Sequence, residues 1–139
     1  MAREAVSTLG PLDFLYTPSA DPKADRDYFV DVLGAREVFA IEAGDDRVAA
    51  VELSGRPLIL FADHLVREGP NPRPFLIFRV DDFAGALDAM EARGLPRAER
   101  FEIPHGPCCT FETPGGHRVG IYQLTRPEVV DHFASRHDF

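Results

Sequence analysis

Near its C-terminus the chain contains the sequence Phe111-Glu112-Thr113-Pro114-Gly115-Gly116-His117-Arg118-Val119-Gly120-Ile121-Tyr122-Gln123. Two runs rich in β-branched and aromatic residues flank a Pro-Gly-Gly turn, where glycine supplies the positive φ that a tight connection needs. This pattern predicts a β-hairpin. A related sequence, Ser54-Gly55-Arg56-Pro57-Leu58-Ile59-Leu60-Phe61, lies 61 positions upstream and aligns Gly55 with Gly116 and Phe61 with Tyr122.

The offset of 61 positions recurs at other places in the chain. Phe14 aligns with Phe75 and Leu15 with Leu76, and Gly34 falls within one residue of alignment with Gly94. A repeat on this scale indicates one supersecondary unit used twice, with copies that bury a face against each other.

Each half of the chain predicts the same order of elements: a strand, a helix and three strands. Asp21 is expected to cap the first helix and Asp81 or Asp82 the second, and Gly34 and Gly94 are expected to end them. The predicted strands are 12–17, 36–41, 47–53 and 57–62 in the first half, and 75–80, 97–103, 108–112 and 118–124 in the second. The domain is therefore expected to contain module one (12–63), a Pro- and Gly-rich linker (64–74), module two (75–124) and a helical tail (125–139). The tail could pack on its own chain or on a partner.

Composition limits the classes of function. A chain of 139 residues with 45% apolar residues can bury the core of a single domain. Its net charge of −8 argues against a nucleic-acid partner. No apolar run approaches the roughly 20 residues that a membrane span needs. Residues 1–10 show no periodicity and no secretion signal, so we expect a loose tail and a cytoplasmic location.

The two cysteines, Cys108 and Cys109, are adjacent in sequence. Neighbouring residues of a strand point to opposite faces, so we expect two reduced, buried thiols instead of a structural disulfide. The alternatives are a site for a thiophilic ion and a thiol that attacks an electrophile. No Lys or Arg lies next to the pair in sequence to favour the thiolate.

The two predicted βαβββ units and the closing hairpin resemble the vicinal oxygen chelate superfamily, which includes glyoxalase I, the bleomycin-resistance proteins and the extradiol dioxygenases. The resemblance covers residues 12–124 and rests on three stretches: Asp27-Tyr28-Phe29-Val30-Asp31-Val32-Leu33-Gly34, Phe75-Leu76-Ile77-Phe78-Arg79-Val80-Asp81-Asp82, and the hairpin. It implies an α+β fold in which two βαβββ modules form paired curved mixed sheets around a cavity, with the helices on the outer faces.

Enzymes of this superfamily hold a divalent metal in the cavity through His, Gln or Glu on the first and last strands of each unit. The corresponding positions here are Phe14, Ile59, Phe75 and Gly120. None of these side chains has an oxygen, nitrogen or sulfur atom to donate to a metal. The resemblance therefore implies a member of the superfamily with no metal cofactor at the usual place.

Strand periodicity extends the candidate site to the residues two positions further along each strand. His105 joins them, because the loop before the seventh strand borders the cavity in relatives. The candidate ligand-binding residues are Phe14, Tyr16, Ile59, Phe61, Phe75, Ile77, His105, Gly120 and Tyr122. Arg79 and Arg118 share this face and could meet an anionic substrate, or could be solvated. The alternative for the aromatic residues is an ordinary filled core.

Three functions remain open from the sequence, and no residue is predicted to be catalytic. The first is a metal-free homodimeric binding protein of the bleomycin-resistance type, which sequesters an apolar or aromatic ligand. A cationic ligand would suit the acidic surface and the aromatic rings. The second is a lyase, isomerase or dioxygenase with an unusual metal site, for example through His105, or with none. The third is a dimeric partner-binding module with a filled core.

Overall fold

The computed structural model describes residues 9–139, so most of the predicted N-terminal tail lies outside the described residues. The predicted order of elements is confirmed, with small shifts in their ends. Along the chain the elements are β1 (Leu12–Pro18), α1 (Pro22–Asp31), β2 (Arg36–Ala43), β3 (Asp46–Glu52), β4 (Leu58–Ala62), a 3-10 turn (Val66–Glu68), β5 (Phe75–Arg79), α2 (Phe83–Ala92), β6 (Arg100–Ile103), β7 (Gly106–Glu112), β8 (Arg118–Tyr122) and α3 (Glu128–Ala134).

The caps that the sequence predicts are present at both long helices. Asp21 accepts a hydrogen bond from the backbone of Ala24 at 3.1 Å, and Asp82 accepts one from Gly85 at the same distance. Pro22 occupies the first turn of α1, where its missing N–H costs no hydrogen bond. None of the helices in residues 9–139 is long and apolar enough to cross a membrane.

All eight strands form one mixed sheet in the order β2-β3-β4-β1-β5-β8-β7-β6. Strands β1 and β5 pair in antiparallel fashion at its centre, where they join the two halves of the repeat. Within each half the first and last strands are parallel neighbours, β1 beside β4 and β5 beside β8. The sheet is therefore continuous within a single chain.

Helices α1 and α2 cover the same side of this sheet, which we call the helix face. Phe29 of α1 packs on Phe61 with ring centroids 4.9 Å apart. Phe83 and Leu87 of α2 are buried in a cluster with Ile121. We call the opposite side the inner face.

Cross-strand pairing shows which residues share the inner face. Leu58 pairs with Phe14, Phe14 with Ile77, Ile77 with Gly120 and Gly120 with Thr110. The next row consists of Leu60, Tyr16, Phe75 and Arg118. We refer to Phe14, Ile77, Gly120 and Thr110 as the central strip.

Two residues predicted for the inner face, Ile59 and Phe61, lie on the helix face instead, in the cluster with Phe29. The reason is the spacing of the paired strands. Phe14 pairs with Leu58, 44 positions later, whereas Phe75 pairs with Arg118, 43 positions later. The offset of the repeat thus falls from 61 to 60 in the last strand of each half. A shift of one residue reverses the direction of every side chain, so Leu58 and Leu60 face inward.

The C-terminal tail packs on its own chain and wraps around the edge strand β2. The backbone N–H of Ala40 donates to Arg136 at 2.9 Å, and that of Asp138 donates back to Ala40 at 2.7 Å. Phe133 of α3 packs on Phe39 at the inner face, while Phe139 packs in the cluster on the helix face. The tail satisfies backbone groups of β2 that an uncovered edge would leave open.

Candidate ligand-binding site

Four aromatic rings, from three elements and one loop, meet on the inner face, and we call them the aromatic cluster. Phe14 of β1 lies 5.8 Å from Tyr122 of β8 and 5.9 Å from His105, between ring centroids. His105 lies 5.8 Å from Tyr122 and 5.4 Å from Phe133 of α3. These distances are typical of favourable aromatic pairs. The cluster gathers three residues that the sequence predicts for the site and one, Phe133, that it does not.

The loop between β6 and β7 holds His105 in this cluster. Gly106 has a φ of +151°, and a Cβ there would lie 2.2 Å from the carbonyl oxygen of Gln123, so this close approach requires glycine. The carbonyl of His105 accepts hydrogen bonds from the backbone of Thr125 at 2.9 Å and of Arg126 at 3.1 Å. The loop is thereby fixed to the chain that follows β8.

Asp13 is a candidate functional residue that the sequence patterns did not indicate. Its side chain is buried, with the residue 1% exposed, at a pairing irregularity between Leu12 and Phe14. The hydroxyl of Tyr122 donates to Asp13 Oδ2 at 2.5 Å. Arg56 Nη1 lies 3.3 Å from Oδ1, and Arg79 Nε lies 3.6 Å from Oδ2. The signal in the sequence was an acidic residue inside an otherwise apolar strand. We call these four residues the Asp13 cluster.

The surroundings of Tyr122 and His105 determine the protonation of these two side chains. Burial, together with the hydrogen bond to Asp13, raises the pKa of the Tyr122 phenol. Burial lowers the pKa of His105, against the opposing effect of Asp13. Near neutral pH the phenol therefore keeps its proton and the imidazole is uncharged.

The Asp13 cluster borders one side of the central strip. A second set of polar side chains borders the other side, in the row that contains Tyr16 and Phe75. The Tyr16 hydroxyl and His64 Nε2 are 3.1 Å apart, and burial raises the pKa of Tyr16, with a smaller contribution from Glu68. The guanidinium of Arg118 lies 3.7 Å from the centre of the Phe75 ring and donates to Glu68 at 2.6 Å. The central strip is thus an apolar surface between two polar groups.

The residues at the metal positions of the superfamily do not fit a divalent ion. Gly120 lies beside Ile77 and Thr110, since a Cβ on it would be 3.4 and 3.5 Å from their side-chain carbons. Phe14, Phe75 and Gly120 offer no donor atom, and neither does Leu58 or Leu60 in place of Ile59. Within residues 9–139 no three His, Cys, Asp or Glu side chains come together in a way that could hold a metal.

Most of the predicted ligand-binding residues lie on the inner face, but two do not. The structure places Phe14, Tyr16, Phe75, Ile77, Gly120 and Tyr122 on the inner face, with His105 at its edge. Ile59 and Phe61 are not part of this surface. Two surface pockets, of about 400 and 340 Å³, lie at the N-terminal ends of α1 and α2. Arg79 lines the second pocket, but neither pocket is lined by a residue of the candidate ligand-binding set.

Both cysteines are free and buried, as predicted. Cys109 packs with α2 on the helix face, while Cys108 pairs in register with Tyr122 on the inner face. Burial raises the pKa of Cys108 to about 11 and that of Cys109 above its usual value. Neither thiol is therefore a ready nucleophile near neutral pH.

The comparisons with known proteins agree with this geometry. A family model described as the Glyoxalase/Bleomycin resistance protein/Dioxygenase superfamily matches residues 12–121. The chain belongs to this superfamily. A search of curated proteins gives no match.

Solved structures with the same fold include three informative examples. Methylmalonyl-CoA epimerase from Mycobacterium tuberculosis aligns with a TM-score of 0.69 and 18% identity, over 91% of this chain and 96% of that one. A Streptomyces coelicolor methylmalonyl-CoA epimerase variant, in complex with 2-nitronate-propionyl-CoA, aligns with a TM-score of 0.65 and 13% identity, over 85% and 96%. A superfamily member from Vibrio splendidus 12B01 aligns with a TM-score of 0.58 and 16% identity, over 79% and 96%. At these identities the likeness shows the fold alone.

Proposed function

We propose that this protein binds a small molecule with an aromatic or apolar body on the central strip, without a divalent metal ion. One observation carries the proposal: an apolar strip that the helices of the described chain do not cover. Phe14, Ile77 and Thr110 are partly exposed there. Helices α1 and α2 pack on the opposite face, and α3 places Phe133 against Phe39 and His105, to one side of the strip. Apolar surface with a few polar groups at its margin is typical of ligand sites.

Some solved proteins of this fold act on small molecules, and the proposal is consistent with that class. Two of them are epimerases of methylmalonyl-CoA, one with a coenzyme A derivative bound. Because this chain has hydrocarbon at the metal positions, we propose binding by contact with aromatic and aliphatic side chains. The residues proposed to contact the ligand are Phe14, Tyr16, Phe75, Ile77, His105, Gly120 and Tyr122.

A homodimer in the cytoplasm is part of the same proposal. Tyr28, Val32 and Leu33, near the end of α1, are 57%, 62% and 48% exposed, which leaves an apolar patch available to a second copy. Light scattering coupled to size-exclusion chromatography tests the oligomeric state. A mass of one chain at micromolar concentration would overturn the dimer.

A second candidate function is metal-free acid–base catalysis, and the Asp13 cluster favours it. A neutral His105 lies beside a phenol that is hydrogen-bonded to a buried carboxylate, which is an arrangement that can accept or hold a proton. The test is to follow a bound aromatic probe by NMR for chemical change or for exchange of its protons with deuterated solvent. Exchange that disappears in H105Q would support catalysis.

The experiment for the binding proposal is a thermal-shift and calorimetric screen of aromatic compounds against protein treated with a chelator. A compound at a hundredfold its Kd adds about 2.7 kcal/mol to the free energy of unfolding, which raises the Tm of a chain of this size by several degrees. Failure of every compound to bind, or binding only after zinc, manganese, nickel or iron is added, would overturn the proposal.

A matched pair of variants locates the site. Ile77→Ala removes a partly exposed side chain from the central strip, and Ile59→Ala removes the same side chain from the helix face of β4. We expect I77A to weaken the binding of an aromatic compound at least fivefold and I59A to leave its Kd unchanged. Equal effects of the two variants would place the compound elsewhere.

A further inference from the structure

We propose that the Asp13 cluster is a subsite for one carboxylate of the ligand, held by Arg56 and Arg79 while the apolar body of the ligand lies on the central strip. This inference rests on the proposed function and adds the chemical class of the ligand, a monocarboxylate with an aromatic or aliphatic body.

The charges of the cluster favour an anion. The cluster contains two guanidinium groups and a single carboxyl group, so basic groups are in excess within it. The carboxylate is buried, whereas the side chains of Arg56 and Arg79 are 48% and 39% exposed. Their outer N–H groups can therefore meet a ligand that Asp13 itself cannot reach.

The two arginines are not saturated by Asp13. Their nitrogen–oxygen distances of 3.3 and 3.6 Å exceed the roughly 2.8 Å of a charge-assisted hydrogen bond. Within residues 9–139 neither guanidinium forms an ion pair with a second carboxylate. By contrast, Arg118 donates to Glu68 at 2.6 Å and Arg126 donates to Glu102 at 2.7 Å. Arg56 and Arg79 thus retain donors in the fork geometry that a carboxylate accepts.

The position of the cluster connects it to the apolar surface. The guanidinium carbon of Arg56 lies 5.9 Å from the centre of the Phe14 ring, the first residue of the central strip. Arg79 pairs in register with Tyr122, which is in ring contact with Phe14. A planar carboxylate at the arginines would therefore place an attached ring or chain over Phe14. The overall charge of −8 suggested a cationic ligand. The guanidinium groups of Arg56 and Arg79 next to the strip would instead repel a cation.

The test uses three probes that share one ring system and differ in charge: 2-naphthoate, 2-naphthalenemethanol and 2-naphthylmethylammonium. Calorimetry should give naphthoate a Kd at least tenfold lower than that of the alcohol, with the ammonium compound weakest. The preference for naphthoate should shrink as salt is raised, because the arginines are partly exposed.

Three Arg→Gln variants, which share the same change of charge, test whether Arg56 and Arg79 cause the preference for naphthoate. Arg56→Gln and Arg79→Gln should each weaken naphthoate at least fivefold more than they weaken the alcohol. Arg100→Gln is the control, since Arg100 lies on β6, four strands away from β1 in the sheet, and pairs with Glu91 of α2. Comparison of the three probes on the wild-type protein remains decisive even if one variant folds poorly.

The outcomes separate this inference from the proposed function. Equal binding of naphthoate and the alcohol, weakened alike by I77A, would overturn the carboxylate subsite and leave the proposed function standing. A preference for naphthoate that persists in both R56Q and R79Q would also overturn the subsite. Absence of binding by all three probes would count against the proposed function itself.

Discussion

The hydrogen bond from Tyr122 to Asp13 links two residues that are 109 positions apart, one from each half of the repeat. Asp13 is the only carboxylate among the buried residues of the described chain, so the loss of a donor to it is expected to be costly. We predict that Tyr122→Phe lowers the free energy of unfolding by about 1.5–3 kcal/mol, the range for hydrogen bonds to charged groups. Urea denaturation of the wild-type protein and of Y122F measures this difference in the free energy of unfolding.

Tyr28→Phe is the control for this prediction, because it removes the same hydroxyl from a side chain that is mostly exposed. It should change the free energy of unfolding by less than about 0.5 kcal/mol. Similar values for Y122F and Y28F would show that the contact with Asp13 contributes little.

His105 should make stability depend on pH. Burial lowers its pKa below the ordinary value of about 6.5. Above that value both the folded and unfolded states carry a neutral imidazole. As the pH falls below it, the unfolded state binds the proton first, so His105 destabilises the folded state under acidic conditions. The groups packed against the ring are Phe14, Tyr122 and Phe133, and Asp13 opposes the shift.

We therefore expect the difference in free energy of unfolding between wild type and His105→Gln to move in favour of the variant as the pH is lowered from 7.5 to 5. Subtraction of the two curves removes the titration of the carboxylates that both proteins share. A difference that stays constant over this range would refute the assignment.

The cysteines give a third prediction at the level of residues. Only a thiolate reacts rapidly with a disulfide reagent, and burial raises the pKa of Cys108 to about 11. A chromogenic disulfide should therefore react slowly with the native protein and release two thiols once guanidinium unfolds it. Rapid reaction of one thiol in native protein would indicate an accessible, activated cysteine.

Among the elements, α3 and the residues after it decide how much of the inner face stays open. Phe133 packs on Phe39 and on His105, so it connects the tail to both halves of the sheet. The tail also holds β2 through two backbone hydrogen bonds to Ala40 and through a side-chain hydrogen bond between His137 and Glu37. These contacts make the tail a structural part of the first module.

We predict that Phe133→Ala lowers the free energy of unfolding by about 1–3 kcal/mol, below the 3–5 kcal/mol of a fully buried ring because Phe133 is only partly buried. It should also increase the fluorescence of an apolar dye that binds the inner face. Val130→Ala, on the same helix but 43% exposed, is the control and should change neither. If F133A left both the free energy of unfolding and the dye fluorescence unchanged, α3 would contribute little to the inner face.

For the whole molecule, the hydrocarbon at the metal positions has a direct consequence. Addition of zinc, manganese, nickel or iron, or removal of metals with a chelator, should leave the Tm unchanged, because a ligand that binds the folded state would raise it. Elemental analysis of purified protein provides an independent measurement. A stoichiometric transition metal that stabilises the protein would overturn the metal-free proposal.

The sequence determined the fold because its signals are local. Asp21, Asp82 and the glycines mark helix ends through hydrogen bonds and dihedral angles of a few neighbouring residues, and alternating apolar residues mark the strands. The repeat then indicated two equal units, and the absence of donors at Phe14, Phe75 and Gly120 could be stated from residue types alone. All of these features survive an error of one residue in the ends of an element.

Only the tertiary structure decided which side chains make up the site. The direction of a side chain in a strand reverses with a shift of one residue, and the strand pairing that fixed Leu58 and Leu60 on the inner face, with Ile59 and Phe61 on the other, joins residues 44 positions apart. Asp13, Arg56, Arg79 and Tyr122 come together from four separate segments for the same reason. Contacts between distant parts of the chain depend on register and packing, which no local pattern encodes.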